Sequence, residues 1–379
     1  MRQTRREFLR GAIGWGGLLL TGSLELRAMH GAEPIRRAHR YVASRQSADG
    51  AWRSGRYAAF REGDVLTPVV LWAMQASRGE TGSDEAFARG LEWLRRLTDT
   101  CCSQPGPWST LRYPLFTASY AVQVLVRNGD PGRAAAWVRI IEQLRTSEAL
   151  GWPAGDPMCG AWSDASMPPQ YVLPVPDMLA PNISATSLAA GALAAMGDGR
   201  ALAARPFIER CQNFPDGEPT EFDDGGFFFA LDDPVRNKAG SAGRDVCGRE
   251  RFHSYGSATC DGYLALRACG LPHEHPRVQA TQDWLRRNSE GLTHGGQWVA
   301  GRAEARESLT FYHSQALAAV LADSRSSGGW ARRLSESVTT ALIDSQGYDG
   351  AWQGTAPDSC EDEPLLASAF AMRALALLA

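Results

Sequence analysis

Two short stretches hold the side chains best suited to chemistry. Thr259-Cys260-Asp261-Gly262-Tyr263 offers a thiol beside a carboxyl, and Phe311-Tyr312-His313-Ser314 places an imidazole behind two aromatics. Thiolate, carboxylate and imidazole are all zinc-ligand types. Adjacent residues on a helix point about 100° apart, however, so Cys260 and Asp261 cannot both face one ion. An imidazole entering an apolar segment must find partners or destabilise its surroundings, and a hydrogen-bonded, partly buried His313 is the expected state. Asp261 and His313 are the candidate catalytic residues. No metal or cofactor is assigned; zinc suits the residue types but is not expected. A further acidic string, Glu221-Phe222-Asp223-Asp224, runs into Gly225-Gly226 and reads as a turn. No Gly-rich nucleotide loop, H-E-x-x-H or G-x-S-x-G is present.

The elements that must position these residues follow from periodicity. Gln46-Ser-Ala-Asp49-Gly50-Ala-Trp52 recurs near the other end of the chain as Gln346-Gly-Tyr-Asp349-Gly350-Ala-Trp352. Degenerate relatives lie between, at Gly151-Trp152 with Gly160-Ala161-Trp162, at Asp224-Gly225-Gly226-Phe227, and at Gly295-Gly296-Gln297-Trp298. Asp-Gly makes the tight turn and the aromatic folds back onto the preceding helix. Trp137, Ile140, Ile141 and Leu144 form an i, i+3, i+4, i+7 stripe, and Ile35, Ala38, Val42 and Leu334, Val338, Leu342 behave alike. Such amphipathic helices are expected near 34–46, 84–97, 132–146, 200–212, 276–288 and 331–344. Between them fall segments apolar or small on nearly all sides, at 66–77, 116–127, 184–196, 256–269, 311–322 and 364–378; the last carries one charge in fifteen residues. A helix apolar all round must be buried all round. Strict alternation of the two kinds predicts an all-α fold, an (α/α)6 barrel with an outer and an inner ring.

In such a ring the inner helices run parallel and their N-termini meet at one mouth. Their positive dipole ends and free N–H groups favour anions there. Residues leading into the inner helices include Tyr113, His253, Tyr255, Tyr312, Asp358 and Asp362, which are the candidate substrate-binding residues. Helix capping alone accounts for carboxylates such as Asp64, Asp358 and Asp362. The segment from Asp232 to Gly256 is a long polar loop that contains the chain's one lysine, Lys238, and would serve either as a lid or as decoration on the barrel.

The Q-x-x-D-G-x-W turn, the alternating helices and the Phe311-Tyr312-His313 segment resemble the terpene cyclase and protein prenyltransferase α/α-toroid superfamily, which includes squalene-hopene cyclases and prenyltransferase β subunits. The resemblance spans about 34–379. It implies a closed toroid with an apolar small molecule or lipid, of isoprenoid type, in its centre, and activity as a transferase or cyclase. Prenyltransferases hold zinc with an Asp and a Cys two apart and a downstream His; with Tyr263 aligned to the family aromatic, Cys260 falls at the Asp position and Gly262 at the Cys position, so one ligand is missing. Type II cyclases carry Asp-x-Asp-Asp, of which Glu221-Phe222-Asp223-Asp224 is the nearest string.

Residues 1–32 stand apart from this pattern. Thr4-Arg5-Arg6-Glu7-Phe8-Leu9-Arg10, followed by a Gly-rich weakly apolar run, resembles a twin-arginine export signal. The expected domains are therefore a signal over 1–32 and the toroid over 33–379. The twin-arginine translocase is a partner during export, and the mature chain is periplasmic or otherwise exported. Formal charge is −3, with no basic run beyond the N-terminus, so nucleic acid is not an expected partner. No apolar stretch is long enough to predict a transmembrane helix in the mature chain. The eight cysteines are too few for a disulfide scaffold, and Cys260 and Cys269 read as buried thiols. Two functions remain open at this point. One is an exported toroid that binds or modifies an isoprenoid. The other is a secreted barrel that binds a polysaccharide or protein, distinguishable by whether its cavity has apolar walls or a carboxylate pair.

Overall fold

Proline opens many of the helices, because its fixed φ suits the first turn and its missing N–H would be unpaired there anyway. Pro114, Pro131, Pro276 and Pro364 all stand at such starts. A computed structural model of the chain describes residues 32–77, 84–101, 110–231, 233–325 and 329–379. The twin-arginine segment over residues 1–31 and the side chain of Asp358 lie outside the described set.

In chain order the helices are α1 (32–44), α2 (Leu66–Met74), α3 (Asp84–Cys101), α4 (Pro114–Arg127), α5 (Pro131–Gln143), α6 (Ile183–Ala195), α7 (Arg205–Arg210), α8 (Gly256–Ala268), α9 (Pro276–Asn288), α10 (Ala303–Glu307), α11 (Thr310–Asp323), α12 (Gly329–Asp344) and α13 (Pro364–Leu378). The inner ring is α2, α4, α6, α8, α11 and α13. Each packs against the next, and α13 packs back on α2, which closes the circle. Every residue of α2 is buried, as are most of α8, α11 and α13. The outer helices α1, α3, α5, α7, α9 and α12 bury one stripe each; in α5 it is Ala134, Trp137, Val138, Ile140 and Ile141. The fold is the all-α double ring that the alternation of segments predicts.

Two features depart from the expected helices. The outer segment 200–212 is a 3-10 turn, Gly199–Ala204, followed by the short α7. Pro206 is the reason, since it withholds an N–H and its ring clashes with the carbonyl four residues back. The long polar loop holds a two-stranded antiparallel hairpin, β1 (Ser241–Arg244) and β2 (Glu250–Phe252). It borders a cavity of about 670 Å³ lined by Phe214, Asp223, Asp245, Arg249 and Arg251, away from the inner ring.

The turns from outer to inner helix share one hydrogen-bond scheme. The Trp52 indole donates to the Val42 carbonyl at 2.8 Å, and its amide donates to Thr67 Oγ1 at 3.0 Å. Trp352 repeats this with Leu342 at 2.8 Å and Ser368 at 2.9 Å, and Trp162 with Ile141 at 2.8 Å and Thr186 at 3.2 Å. Phe227 keeps the amide bond, to Thr259 at 3.0 Å. Gly50, at φ +98°, sits where a Cβ would lie 2.5 Å from the Arg89 carbonyl, so the turn presses backbone against the next outer helix.

The fifth hairpin keeps the turn but exchanges its side chains. Bridges join Gln46 to Trp52, Arg145 to Trp162 and Gln212 to Phe227; the corresponding bridge joins Glu290 to Thr293. The turn is thus at Gly291, not at Gly295-Gly296-Gln297-Trp298 where the aromatic in the sequence suggests it. Thr293 stands at the tryptophan position. On the inner side, where Thr67, Thr186 and Thr259 stand elsewhere, α11 presents His313, whose amide donates to the Leu309 carbonyl at 2.8 Å as theirs do to Gly63, Asn182 and Tyr255. A large-and-small pair has become a small-and-large one.

Candidate functional site

Acids are rare on the inner helices, and this makes Asp261 conspicuous. Within the six inner ranges the carboxylates are Asp261 and Asp323, and Asp323 is exposed at the end of α11, where it pairs with Arg267 at 2.9 Å. Asp261 is 2% exposed. Tyr312 Oη donates to its Oδ1 at 2.9 Å and Ser184 Oγ to its Oδ2. Three inner helices, α6, α8 and α11, therefore converge on one carboxyl. Burial raises its pKa to about 7, with the two hydroxyls pulling the other way. At neutral pH a large share of Asp261 is protonated. When the proton leaves, both hydroxyls can turn their hydrogens toward the new charge.

Around Asp261 the walls are aromatic and aliphatic. Tyr312 meets Phe370 edge-on at 5.7 Å, and Tyr120 meets Trp72 edge-on at 4.8 Å. The Trp72 indole donates to Gln123 Oε1 at 2.9 Å, which fixes the ring's face. Leu115, Ile183, Leu193, Tyr263 and Leu266 are buried, whereas Phe116, Leu188 and Leu264 on the same helices are only partly buried. Their accessible surface marks the inward side of the ring. Burial raises the Tyr120 and Tyr312 pKa values, so both stay as neutral hydroxyls.

His313 leaves α11 in another direction. Its ring lies edge-on to His294, with centroids 4.3 Å apart. A Cβ on Gly256 would lie 2.6 Å from His313 Cε1, so α8 must present a glycine there. The Thr293 carbonyl lies near enough to favour the charged ring, yet burial dominates and lowers the His313 pKa to about 4. Neither ring nitrogen has a hydrogen bond of normal geometry, nor does His294 Nδ1. His294 Nε2 lies 3.1 Å from the Leu309 carbonyl. The expected hydrogen bonds of His313 are thus not made with normal geometry, and the Thr293 carbonyl is the polar group its ring approaches.

The remaining candidates scatter. Tyr255 is buried before α8, with its ring 5.4 Å from Trp298 and 6.4 Å from His294. Its pKa is raised by burial and then by Asp261, which places it on the same electrostatic field as the carboxyl. His253 follows β2, its amide bound to Gly240 at 3.1 Å and its pKa lowered by burial. Tyr113 is 39% exposed at the start of α4, edge-on to Phe116 at 6.1 Å. Asp362 forms an ion pair with Arg56 at 2.6 Å and accepts from Tyr57, which ties the chain's two ends together. Asp64 does not cap α2; its Oδ2 accepts the Arg112 amide at 3.3 Å. The carboxylate at the start of α11 is Glu361, which accepts the Phe311 amide at 2.9 Å and the Tyr312 amide at 2.6 Å, while Glu363 caps α13 by accepting the Leu365 amide at 3.1 Å. Burial raises the Glu361 pKa to about 7. Cys260 is fully buried beside Asp261, and among the described residues no group of three or more His, Cys, Asp or Glu is arranged to hold a metal.

Sequence reasoning brought Asp261 and Tyr312 to notice but missed Ser184, His294 and Arg373. A lone serine beside a threonine on an apolar helix carries no signal by itself. The single charge on α13 does carry one.

No protein-family model and no curated protein matches the chain. Solved structures do match over nearly its whole described length. A variant of the type II terpene cyclase MstE from Scytonema, bound to its product merosterolic acid A, superposes with a TM-score of 0.59 at 13% identity, covering 93% of this chain and 98% of the cyclase. Another variant of that cyclase, bound to its substrate geranylgeranyl dihydroxybenzoate, gives 0.58 at 12% identity, covering 94% and 99%. A glycosidase gives 0.50 at 12% identity, covering 92% and 96%. At these identities the likeness is one of fold: the chain is similar to terpene cyclases in architecture, and the same architecture also serves a glycosidase.

Proposed function

We propose that the ring encloses an apolar molecule of isoprenoid type and that Asp261 acts on it as a Brønsted acid. The observation that carries this reading is a buried carboxyl with a pKa near 7, bonded to Tyr312, whose ring meets Phe370, and close enough to Tyr120 to raise that hydroxyl's pKa. Aromatic faces stabilise a cation that forms beside them. Proton transfer from Asp261 Oδ to an alkene carbon leaves a carbocation on the substrate and a carboxylate held by Ser184 and Tyr312. Return of a neighbouring proton from the carbocation to that carboxylate, directly or through water, then gives an isomer of the starting material and restores the acid. The cyclase that binds geranylgeranyl dihydroxybenzoate supports an apolar occupant for a toroid of this shape. A glycosidase-like role would need a second carboxyl facing Asp261, and among the described residues the inner helices offer only Asp323, which is exposed and paired with Arg267. We further propose that the chain works outside the cytoplasm, on the strength of Arg5-Arg6 and the weakly apolar run behind them.

Incubation of the purified protein with polyprenyl alcohols, acids and phosphates, followed by mass spectrometry, tests the first reading. Products isomeric with the substrate, formed by the native chain and not by Asp261→Asn, are expected. Failure to bind any of these molecules would overturn it. Replacing Arg5 and Arg6 by lysine should hold the protein in the cytoplasm; its appearance outside would overturn the export reading.

A further inference from the structure

We propose that Arg373 receives the anionic head of an amphiphilic ligand, a carboxylate or phosphate on an apolar chain, inside the ring. The proposal rests on the apolar-ligand reading of the same interior and adds the chemistry of the ligand's other end.

Arg373 is the one charged residue of α13. Its guanidinium carbon lies 3.5 Å over the Trp72 ring, and Nη1 reaches the Trp72 carbonyl at 3.4 Å. Nε is buried without a hydrogen-bond partner. Among the described residues no carboxylate lies within ion-pair distance of it. Other shielded arginines of this protein do have such partners: Arg277 has Asp216, and Arg251 has Asp223 at 3.2 Å. A guanidinium taken from water without an anion is costly, and side chains of this kind are buried where something pairs with them.

The geometry points inward. Trp72 on α2, Tyr120 on α4 and Arg373 on α13 meet across three consecutive inner helices. Tyr120 feels both charges: after burial, which raises its hydroxyl pKa most, Arg373 lowers it and Asp261 raises it. Arg373 keeps some open surface while Ala371, Met372, Ala374 and Leu375 around it are buried. Burial lowers its pKa to about 9, so it is charged at neutral pH. A guanidinium stacked on an indole still presents in-plane N–H bonds at its edge, the arrangement suited to two oxygens of one anion. The ligand would then lie with its head at Arg373 and its unsaturated chain toward Asp261.

Titration of the full chain with farnesol, farnesoic acid and farnesyl monophosphate tests this. The native protein should bind at least one of the two anions about tenfold or more tighter than farnesol, and the preferred anion identifies the head as carboxylate or phosphate. Arg373→Met should erase the preference, hold farnesol within about threefold, and melt at or above the native temperature because an unpaired charge has gone. If that variant does not fold, Arg373→Lys must weaken the anions about tenfold and leave farnesol unchanged. Equal binding of all three by the native protein, a preference retained in Arg373→Met, or anion binding undiminished in Arg373→Lys would overturn the head-group proposal alone. Binding of none would overturn the apolar-ligand reading and this proposal with it.

Discussion

Tyr312 and His313 are consecutive residues of α11, yet they end in environments with opposite demands. The Tyr312 hydroxyl reaches Asp261 in the ring's interior, where three helices supply polar atoms to a carboxyl. The His313 ring packs outward against His294 and the space above Gly256, with no hydrogen bond of normal geometry. The step of about 100° between neighbours decides which residue can meet a substrate. A histidine behind two aromatics looks like the reactive group in sequence. In the structure the tyrosine before it has the better position for chemistry, and the histidine has the better position for packing.

The comparison is broken most directly at Asp261. Asp261→Asn keeps the shape and can still bond to both Ser184 and Tyr312, but it has no proton to give. Turnover of any polyprenyl substrate should fall by about a thousandfold or more, some 4 kcal/mol in the barrier, with the fold intact by circular dichroism. Retained turnover would move the chemistry elsewhere in the ring.

On the outward side the expected effect is on stability. His313→Thr restores the threonine seen at Thr67, Thr186 and Thr259 but leaves a cavity, at a cost of about 2–3 kcal/mol. Thr293→Trp alone overfills the same space and should cost about 1–3 kcal/mol. Together they rebuild the large-and-small pair of Trp52 with Thr67, so the double variant should be more stable than the sum by at least about 1 kcal/mol. Additive losses in urea unfolding would show that the exchange of sizes is accidental.

The two faces also respond to pH with opposite sign. Asp261 and Glu361 have folded pKa values near 7 against 3.8 and 4.5 for the free side chains. Between those limits the folded chain holds more protons than the unfolded one, so this contribution to stability is lost as pH rises from about 4 to 7. His313 and His39 lie near 4 against 6.5, so the folded chain holds fewer protons and their contribution is lost as pH falls from 6.5 to about 4. Asp261→Asn should remove about 1–3 kcal/mol of the first slope and leave the second; His313→Thr should do the reverse. Urea titrations at pH 4, 5.5 and 7 separate them, and an unchanged slope in either variant contradicts the burial assigned to that side chain.

Much of the architecture was legible because it repeats. Trp52 and Trp352 mark the same turn at opposite ends of the chain, and the inner helices declare themselves by having no polar face. The exceptions each have a local cause. Pro206 breaks the expected helix 200–212 into a 3-10 turn and the short α7. The fifth turn lies at Gly291 rather than before Trp298, because Thr293 takes the place an aromatic holds in the other described hairpins. The site was half legible. Asp261 and Tyr312 are conspicuous as polar residues on apolar helices, but pairing them needs the ring closed, and Ser184 comes from a third helix. Arg373 was visible as a lone charge, though nothing local says that no acid reaches it.

The smallest expected effect concerns how far the fifth hairpin has drifted from the others. In the regular turns the glycine touches the next outer helix: a Cβ on Gly225 would lie 2.8 Å from the Ala280 carbonyl. Gly291 also has positive φ, +54°, but its nearest neighbours, the Ala341 Cβ and Ser337 Oγ, would be 3.9 Å away. Gly225→Ala therefore carries both a conformational and a steric cost, whereas Gly291→Ala carries the first alone, about 1 kcal/mol. Equal losses from the two substitutions would mean that the fifth turn is pressed against α12 as tightly as the rest. A much smaller loss at Gly291 would show that this hairpin has exchanged backbone contact for the side-chain contact between His294 and His313.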